Sequence, residues 1–285
     1  MDIILKDVVF TYMKRTPFEN KAINKINLLI QSNSITGIIG NTGSGKTTIL
    51  QLIAGLIKQD SGDITIGKLD WKNKKDTLEL RRQVGLVFQN SEQQVFEETV
   101  EKDISFGPRN FGYTEEQTMK LTKEALERMQ LSYQLYAGRS PFELSGGERK
   151  KVAIAGVLAY QPKVLLLDEP FVGLDPIGKK EIMEMIIELQ RKQGLTIIIV
   201  SHNMDEVAQI ADNIVLLKSG QVCYNGIPKE LFTKLELLGQ NNLDIPEITK
   251  LIIKINEKTN PPIPLDCFSI DSLEEHLVKR IKGSG

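Results

Sequence analysis

A glycine-rich segment, IIGNTGSGKTT, joins an apolar strand pattern to a helical pattern at residues 38–48. Gly40, Gly45, Lys46 and Thr47 match the spacing G-x-x-x-x-G-K-[ST] of a phosphate-binding loop. Glycines let successive backbone N–H groups point at one anion, and a helix that begins near Lys46 adds the positive end of its dipole. Lys46 supplies a full charge for the β- and γ-phosphates, and the Thr47 hydroxyl can ligate Mg²⁺. The segment predicts a nucleoside triphosphate site rather than an ordinary glycine-rich turn.

Two more apolar strand patterns end in residues that could act on this nucleotide. VLLLDEP, at 164–170, contains Asp168, which could hold Mg²⁺, and Glu169, which could polarise an attacking water. The strand TIIIV is followed by His202, which could reach the γ-phosphate. Ligands of open α/β sheets sit outside the carboxyl ends of the strands, where these side chains would meet. The alternatives are a solvated acidic strand end and a capping or core histidine.

Two single residues carry weaker signals. Gln89 ends the strand pattern VGLVF, so its amide could ligate Mg²⁺ or orient water, although a plain surface glutamine is the commoner interpretation. Tyr12 lies in an early polar turn and could stack on adenine, or simply pack within that turn.

The segment LSGGE, residues 144–148, predicts a second anion site. Ser145 can cap the helical run that follows, and Gly146 and Gly147 permit close backbone approach. Since one nucleotide needs only one cradle, this second site would serve a nucleotide bound to another subunit. The alternative is a plain helix start.

The elements that must position these residues follow a strand–loop–helix order after residue 37. Alternating apolar residues predict two earlier strands, separated by the polar turn TYMKRTPFENK. The predicted buried parallel strands are Val84–Phe88, Val164–Leu167 and Thr196–Val200. A polar helical region at about 99–160 includes an amphipathic helix over Glu115–Met129, and Ser219-Gly220 predicts a hairpin.

The composition changes after about residue 236, where prolines interrupt the chain. Two short helices are predicted there, one over Pro246–Asn256 and one that starts at Asp271. We expect a small C-terminal appendage that packs on the core or on a partner. The last three residues, Gly283-Ser284-Gly285, are left out of this expectation.

The overall composition limits which classes of function the chain could have. The chain has 285 residues, of which 41% are hydrophobic and 26% charged, with a net charge of -1, as in an ordinary globular protein. The balanced charge gives no sign of nonspecific nucleic-acid binding. No apolar run approaches the ~18 residues of a membrane span, and the N-terminus does not resemble a signal peptide. Cys223 and Cys267 lack metal-type spacing and are expected to be plain thiols in a reducing cytosol.

Six motifs occur in the order found in ATP-binding-cassette (ABC) ATPases, so residues 1–235 resemble that family. They are GNTGSGKTT, VFQ, LSGGE, LLLDEP, GLD at 173–175 and SHNMDE. The resemblance implies an α/β P-loop NTPase fold with a RecA-like core, an antiparallel β subdomain and an α-helical subdomain at about 95–160. A small C-terminal helical extension, 236–285, would serve as a dimerisation appendage.

The resemblance also implies roles for individual residues. The implied catalytic residues are Glu169, which acts as the base, and His202, Lys46 and Gln89. The implied Mg²⁺ ligands are Thr47, Gln89 and Asp168. The implied ATP-binding residues are Tyr12, Gly40, Asn41, Thr42, Gly43, Ser44, Gly45, Lys46, Thr47, Thr48, Ser145, Gly146, Gly147 and Asp175. Members of the family work as head-to-tail dimers that sandwich two ATP molecules, each between one subunit's phosphate loop and the other's LSGGE-type signature.

A narrower resemblance lies outside the catalytic motifs. Residues 16–22, 90–112 and 151–159 resemble the ATPases of energy-coupling factor transporters, and the early TPFE turn resembles the second type of ATPase in heterodimeric systems. These prokaryotic importers take up vitamins or transition-metal ions. An ATPase pair drives a transmembrane coupling subunit, which engages a separate substrate-binding membrane subunit. The resemblance therefore implies a peripheral protein on the cytoplasmic face of the membrane, paired with a second ABC ATPase and without a nucleic-acid partner; a homodimer stays possible.

Two alternatives and one departure accompany this interpretation. The chain could instead be the ATPase of a conventional ABC transporter, or a soluble ABC ATPase that acts on ribosomes or DNA. The latter usually carries two cassettes, long coiled coils or basic arms, which this sequence lacks. The family's signature usually ends in glutamine, but here the fifth residue is Glu148. With a carboxylate in the signature, the two composite ATP sites of a dimer need not be equivalent. The sequence does not identify the transported solute, because the residues that contact it would lie in another polypeptide.

Overall fold

The computed structural model describes residues 1–258, 260, 262–265 and 267–282, which form two β-sheets with helices around them. The strands are β1 (Ile3–Tyr12), β2 (Asn20–Ile30), β3 (Ile35–Ile39), β4 (Ser61–Ile66), β5 (Leu69–Asp70), β6 (Val84–Val87), β7 (Val164–Asp168), β8 (Thr196–Val200), β9 (Asn213–Lys218) and β10 (Gln221–Gly226). The helices are α1 (Lys46–Ile53), α2 (Thr77–Gln83), α3 (Val100–Asn110), α4 (Glu115–Arg128), α5 (Tyr133–Tyr136), α6 (Gly146–Leu158), α7 (Pro176–Gln193), α8 (Met204–Ile210), α9 (Pro228–Thr233), α10 (Leu235–Gln240), α11 (Glu247–Asn256) and α12 (Ile270–Lys282).

The larger sheet has six strands in the order β10-β9-β3-β8-β7-β6. β3, β6, β7, β8 and β9 run parallel, and β10 returns antiparallel to β9, which confirms the predicted hairpin. The unbroken apolar runs are explained by burial on both faces, because successive side chains of a strand point to opposite sides. In β7, Leu165 and Leu167 pack in one apolar cluster with the helices, whereas Val164 and Leu166 pack in another with the smaller sheet.

The smaller sheet is antiparallel, with the order β2-β1-β4-β5. The apolar residues Ile3, Leu5 and Val8 of β1 are fully buried, although their spacing is not strictly alternate. A register shift between Leu5 and Val8, with Asp7 at φ 46°, accounts for the extra residue. The predicted strands before residue 37 are thus confirmed, with a bulge that the sequence pattern alone did not specify.

The region between β6 and β7 is helical, as predicted. Helix α4 buries Leu121, Ala125 and Leu126 against its neighbours, and α6 passes from this region to the large sheet. Thr114 caps α4 with a reciprocal side-chain bond to Gln117, which explains why the helix begins there. The predicted amphipathic helix is confirmed, and it ends one residue before Met129.

The chain after β10 is helical and forms two packed groups. Phe232 and Leu238, from α9 and α10, pack against the β9–β10 hairpin. Ile252 of α11, Leu273 of α12 and the buried Cys267 form a separate small cluster. The two predicted helices begin within one residue of the expected positions, and the placement of the domain boundary near residue 235 stays a prediction. Gly283-Ser284-Gly285 lie outside the described residues. Within the described chain, every helix is too short or too polar to cross a membrane.

Candidate functional site

Four neighbouring strands of the large sheet bring the predicted chemistry together. β3, β8, β7 and β6 lie side by side and parallel, so the loops that follow their carboxyl ends meet at one edge of the sheet. A cavity of about 400 Å³ opens there, within the size range of ligand sites. Its lining residues are Tyr12, Asn20, Ala22, Thr42, Gly43, Gly45, Lys46, Thr47, Thr48, Gln89, Asp168, Glu169, Val200 and His202.

The phosphate loop depends on glycine at two positions. Gly40 has φ +147° and a Cβ there would lie 2.3 Å from the Leu217 carbonyl oxygen. Gly45 has φ +106°, and its Cβ would lie 2.7 Å from the Ala22 carbonyl oxygen. The loop is therefore fitted between the β9–β10 hairpin and β2. Gly45 caps α1 and forms no side-chain hydrogen bond there, so this cap leaves the N–H groups of the first turn open to an anion.

Lys46 lies against the loop that it follows. Its Nζ donates hydrogen bonds to the carbonyl oxygens of Gly40, at 2.7 Å, and Asn41, at 3.0 Å. Burial lowers the pKa of Lys46, while the nearby Glu169 and Asp168 carboxylates act in the opposite direction. Lys46 lines the cavity, and its ammonium group is held there beside the loop by these two hydrogen bonds.

Thr47 and Asp168 form a pair suited to a hard cation. The Thr47 hydroxyl donates to Asp168 Oδ2 at 3.0 Å, and Asp168 is only 5% exposed. Its other oxygen, Oδ1, is buried and has no hydrogen-bond partner among the described residues. Burial raises the pKa of Asp168, chiefly through loss of hydration. A hydroxyl, a carboxylate and the nearby exposed amide of Gln89 are oxygen donors of the kind Mg²⁺ takes, so these residues fit that ion.

Glu169 and His202 form the second pair at the cavity mouth. His202 Nδ1 lies 2.9 Å from Glu169 Oε2, and the His202 backbone N–H donates to the same oxygen at 3.4 Å. The Glu169 side chain is 10% exposed and that of His202 is 69% exposed. Glu169 has φ 50°, a strained left-handed conformation that aims its carboxylate across the strand ends, and its N–H bonds to the Val200 carbonyl. The arrangement presents an oriented carboxylate beside an exposed imidazole.

Tyr12 lines the side of the cavity near the start of α1. Its hydroxyl contacts Thr48 Oγ1 at 3.2 Å and donates to Gln51 Oε1 at 3.1 Å. Phe10 packs edge-on against its ring, with centroids 4.7 Å apart. These contacts fix the ring while leaving it half-buried, which suits a flat stacking surface.

The predicted second anion site does not join this cavity. Ser145 and Gly146 are exposed at the start of α6, Gly147 is half-buried, and Asp175 caps α7 by accepting the Gly178 N–H at 2.7 Å. None of these four described residues lines the cavity. The structure thus brings one set of the predicted residues together and leaves the signature on the surface.

Several contacts at the site were not predicted. Asn20 and Ala22 line the cavity because β2 runs beside the phosphate loop, and no sequence pattern signals this. The Asn41 amide donates to the Asn241 carbonyl at 2.7 Å, and the Glu247 N–H donates to Asp205 Oδ1 at 2.9 Å. The C-terminal helices are therefore tied to the phosphate loop and to the segment after His202.

Comparison with known proteins agrees with this geometry. Residues 23–172 match the family model described as ABC transporter, which is more than half of the chain. The chain belongs to the ABC transporter family. It is 45% identical, over all of its length and 99% of the relative's, to the energy-coupling factor transporter ATP-binding protein EcfA2 of Caldanaerobacter subterraneus subsp. tengcongensis.

Solved structures of ABC ATPases have the same fold. The chain resembles cbiO1 of Clostridium perfringens, described as part of the ABC transporter complex cbiONQ, with TM-score 0.74, 37% identity and coverage of 88% of this chain and 98% of that one. It also resembles the ATP-binding cassette MJ0796, a dimer bound to ADP and Pi, with TM-score 0.71, 28% identity and coverage of 79% and 98%. The predicted fold, the ABC ATPase activity and the energy-coupling factor subfamily are confirmed.

Proposed function

We propose that this chain works as one half of an ABC ATPase pair that powers an energy-coupling factor importer. One observation carries the dimeric part of the proposal. The phosphate loop, the two acids and His202 share one cavity, whereas Ser145 and Gly146 are exposed elsewhere and Gly147 is half-buried beside them. A second subunit would complete each site, and the related cassette MJ0796 is described as a dimer.

The cavity residues support distinct steps of ATP hydrolysis, which depends mainly on positioning and electrostatics. Lys46 and the loop N–H groups bind the phosphates, and Tyr12 stacks on the adenine ring. The Glu169 carboxylate, oriented by His202, accepts a proton from the attacking water. His202 itself, being exposed at the mouth, contacts the γ-phosphate edge.

Charge at the site favours Mg²⁺ as a companion of ATP. The cavity contains one ammonium group, Lys46, against the two carboxyl groups of Asp168 and Glu169. A polyphosphate next to these carboxylates would be repelled unless a cation lay between them. Thr47, Asp168 and Gln89 would hold Mg²⁺, which when bound would neutralise charge on the β- and γ-phosphate oxygens.

The surface after Gln89 is proposed to contact the membrane partner. Phe96 and Phe106 are 57% and 45% exposed and pack edge to face, with centroids 5.1 Å apart. The buried Asp103 carboxylate accepts hydrogen bonds from the N–H groups of Phe96 and Glu97 at 2.8 and 3.0 Å and so fixes the loop. An ordered pair of exposed aromatic rings fits a protein contact.

This placement leads to the physiological proposal. The chain sits on the cytoplasmic face of a prokaryotic membrane, against a transmembrane coupling subunit that engages substrate-binding membrane subunits for vitamins or transition-metal ions. Its partner ATPase is a second, non-identical ABC subunit. The C-terminal helices help hold the two ATPases together, through exposed apolar residues such as Leu251 and Ile270.

Nucleotide-dependent association tests the dimeric mechanism. The Glu169→Gln variant, purified with its partner ATPase, should associate when ATP and Mg²⁺ are present and separate when the ion is chelated. Wild type should hydrolyse ATP and associate only transiently. A variant that remains dissociated at saturating ATP would contradict the proposal, provided that it binds a fluorescent ATP analogue as wild type does.

A further inference from the structure

The start of α6 contains a closed set of hydrogen bonds between Ser145 and Glu148. The Ser145 backbone N–H donates to Glu148 Oε2 at 2.9 Å, and the Ser145 hydroxyl donates to the same oxygen at 2.7 Å. In return the Glu148 N–H donates to Ser145 Oγ at 3.3 Å. A serine hydroxyl has a single proton, and here that proton is directed into the chain's own carboxylate.

A second residue fixes the Glu148 carboxylate from the other side. The Tyr136 hydroxyl donates to Glu148 Oε1 at 2.7 Å, and the Arg139 guanidinium lies over the Tyr136 ring at 5.3 Å. The hydrogen bonds from Tyr136 and then Ser145 lower the pKa of Glu148 to about 2. Glu148 is therefore anionic at neutral pH. Its carboxylate can accept a hydrogen bond from the Ser145 hydroxyl but has no proton to donate to a phosphate.

The surroundings leave room for an anion from another subunit. A Cβ at Gly146 would have no heavy atom within 4 Å, and one at Gly147 would meet only Leu174 at 3.6 Å. A phosphate that approached here would meet the N–H groups of the helix start, but Ser145 could donate to it only after leaving Glu148. Both the carboxylate and a phosphate are ionised acceptors, so the exchange replaces one charge-assisted hydrogen bond, already formed at 2.7 Å, with another. A phosphate therefore gains less from Ser145 than it would from a hydroxyl that is free to donate.

We propose that Glu148 is a positioning residue that holds the Ser145 proton within this chain and thereby weakens the composite ATP site that this signature completes. The inference rests on the proposed dimer, because the affected nucleotide is the one bound by the partner. This chain's own phosphate loop lies in a separate cavity and is unaffected. A glutamine at the same position could donate its amide N–H to Ser145 Oγ and leave the hydroxyl proton free for a phosphate oxygen.

Three variants separate this effect from its alternatives. Glu148→Gln should fold, because glutamine also serves as the partner residue of a capping box. Glu143→Gln removes the same charge at an exposed position two residues before Ser145 and is the matched control. Tyr136→Phe removes one donor to Glu148 but keeps the carboxylate.

The experiment uses the complex of this chain with its partner ATPase. ATP hydrolysis is titrated to obtain KM and kcat, and ATP-dependent association is followed in parallel. Glu148→Gln should lower both the KM and the ATP concentration for half-maximal association about tenfold. The substitution removes the carboxylate that competes with the phosphate for the Ser145 hydroxyl, and tenfold corresponds to about one hydrogen bond. Glu143→Gln and Tyr136→Phe should not lower either value. Binding of a fluorescent ATP analogue to the isolated chain should be the same for all four proteins.

The outcomes distinguish the inference from the proposed function. If the wild-type complex associates with ATP but Glu148→Gln shows an unchanged KM and association, the role of Glu148 is overturned and the dimer stands. If Glu143→Gln or Tyr136→Phe lowers the KM as much as Glu148→Gln does, the held proton is not the cause and the inference is also overturned. A wild-type complex that never associates with ATP overturns both proposals.

Discussion

Replacing Glu169 with glutamine is the sharpest test of the cavity's chemistry. The substitution keeps the size of the side chain and removes its ability to take a proton. Glu169 is nine-tenths buried at the strand end and 2.9 Å from His202 Nδ1, so the amide has room to keep the same position. The change is therefore expected to affect the proton transfer more than the fold or ATP binding.

The expected loss follows from the role of a general base. Positioned acid–base groups typically contribute about 10²- to 10⁴-fold in rate, so kcat should fall by that factor. This corresponds to about 3–5 kcal/mol of transition-state stabilisation, at about 1.4 kcal/mol for each tenfold change. ATP affinity should stay within a few-fold of wild type, since Lys46 and the loop glycines are untouched.

The assay is steady-state phosphate release, with fluorescent ATP-analogue binding measured on the same preparations. Glu184→Gln is the matched control, because Glu184 lies on the exposed side of α7 with 62% of its side chain accessible. The control should behave as wild type. Near-normal turnover of Glu169→Gln, with intact binding, would remove Glu169 from the role of base and refute the reasoning.

Three other predictions concern single residues around the site. Tyr12→Ala should weaken ATP binding by about 1–3 kcal/mol, the value of base stacking, but should leave tripolyphosphate binding unchanged; equal losses for both ligands in a competition assay would argue against stacking. Gly45→Ala should lower the free energy of unfolding by about 1–3 kcal/mol or more, because the residue has φ +106° and its Cβ would contact the Ala22 carbonyl; Gly146→Ala, which has open space, is the control, and equal thermal-unfolding midpoints would contradict this. Glu148 has its pKa lowered from 4.5 to about 2 in the folded chain, so the stability it contributes is present above about pH 4.5 and is lost as the pH falls toward 2. The gap in unfolding midpoint between wild type and Glu148→Gln should therefore shrink between pH 5.5 and pH 3.5, and a gap that is independent of pH would contradict the assigned bonds.

The central sheet could be predicted because its residues satisfy local rules. The runs Val164–Leu167 and Thr196–Val200 are apolar without alternation, which requires burial on both faces, and parallel strands then bring their carboxyl ends together. These rules predict that Lys46, Asp168, Glu169 and His202 lie at one edge of the sheet, as they do. The spacing of the phosphate loop was equally local, since its glycines respond to backbone geometry that only glycine adopts without strain.

The remaining features depend on contacts between distant parts of the chain. The bulge in β1 arises from pairing with two neighbours at once, and the approach of Asn241 to Asn41 requires the C-terminal helices to fold back over the loop. The pair of Glu169 and His202 also joins two different strand ends, so motif spacing could place both residues nearby but could not specify their hydrogen bond. The bond network of Glu148 with Tyr136 likewise spans two helices.

Purification of this chain from native membranes in mild detergent, followed by identification of the proteins that accompany it, tests the central claim most directly. The proposal predicts a second ABC ATPase, one coupling membrane protein and several small membrane proteins in substoichiometric amounts. The small proteins would also indicate which solutes are imported. Recovery of a single pair of large permease subunits, with no separate substrate-binding membrane proteins, would contradict the proposed assembly while leaving the ATP chemistry of the cavity intact.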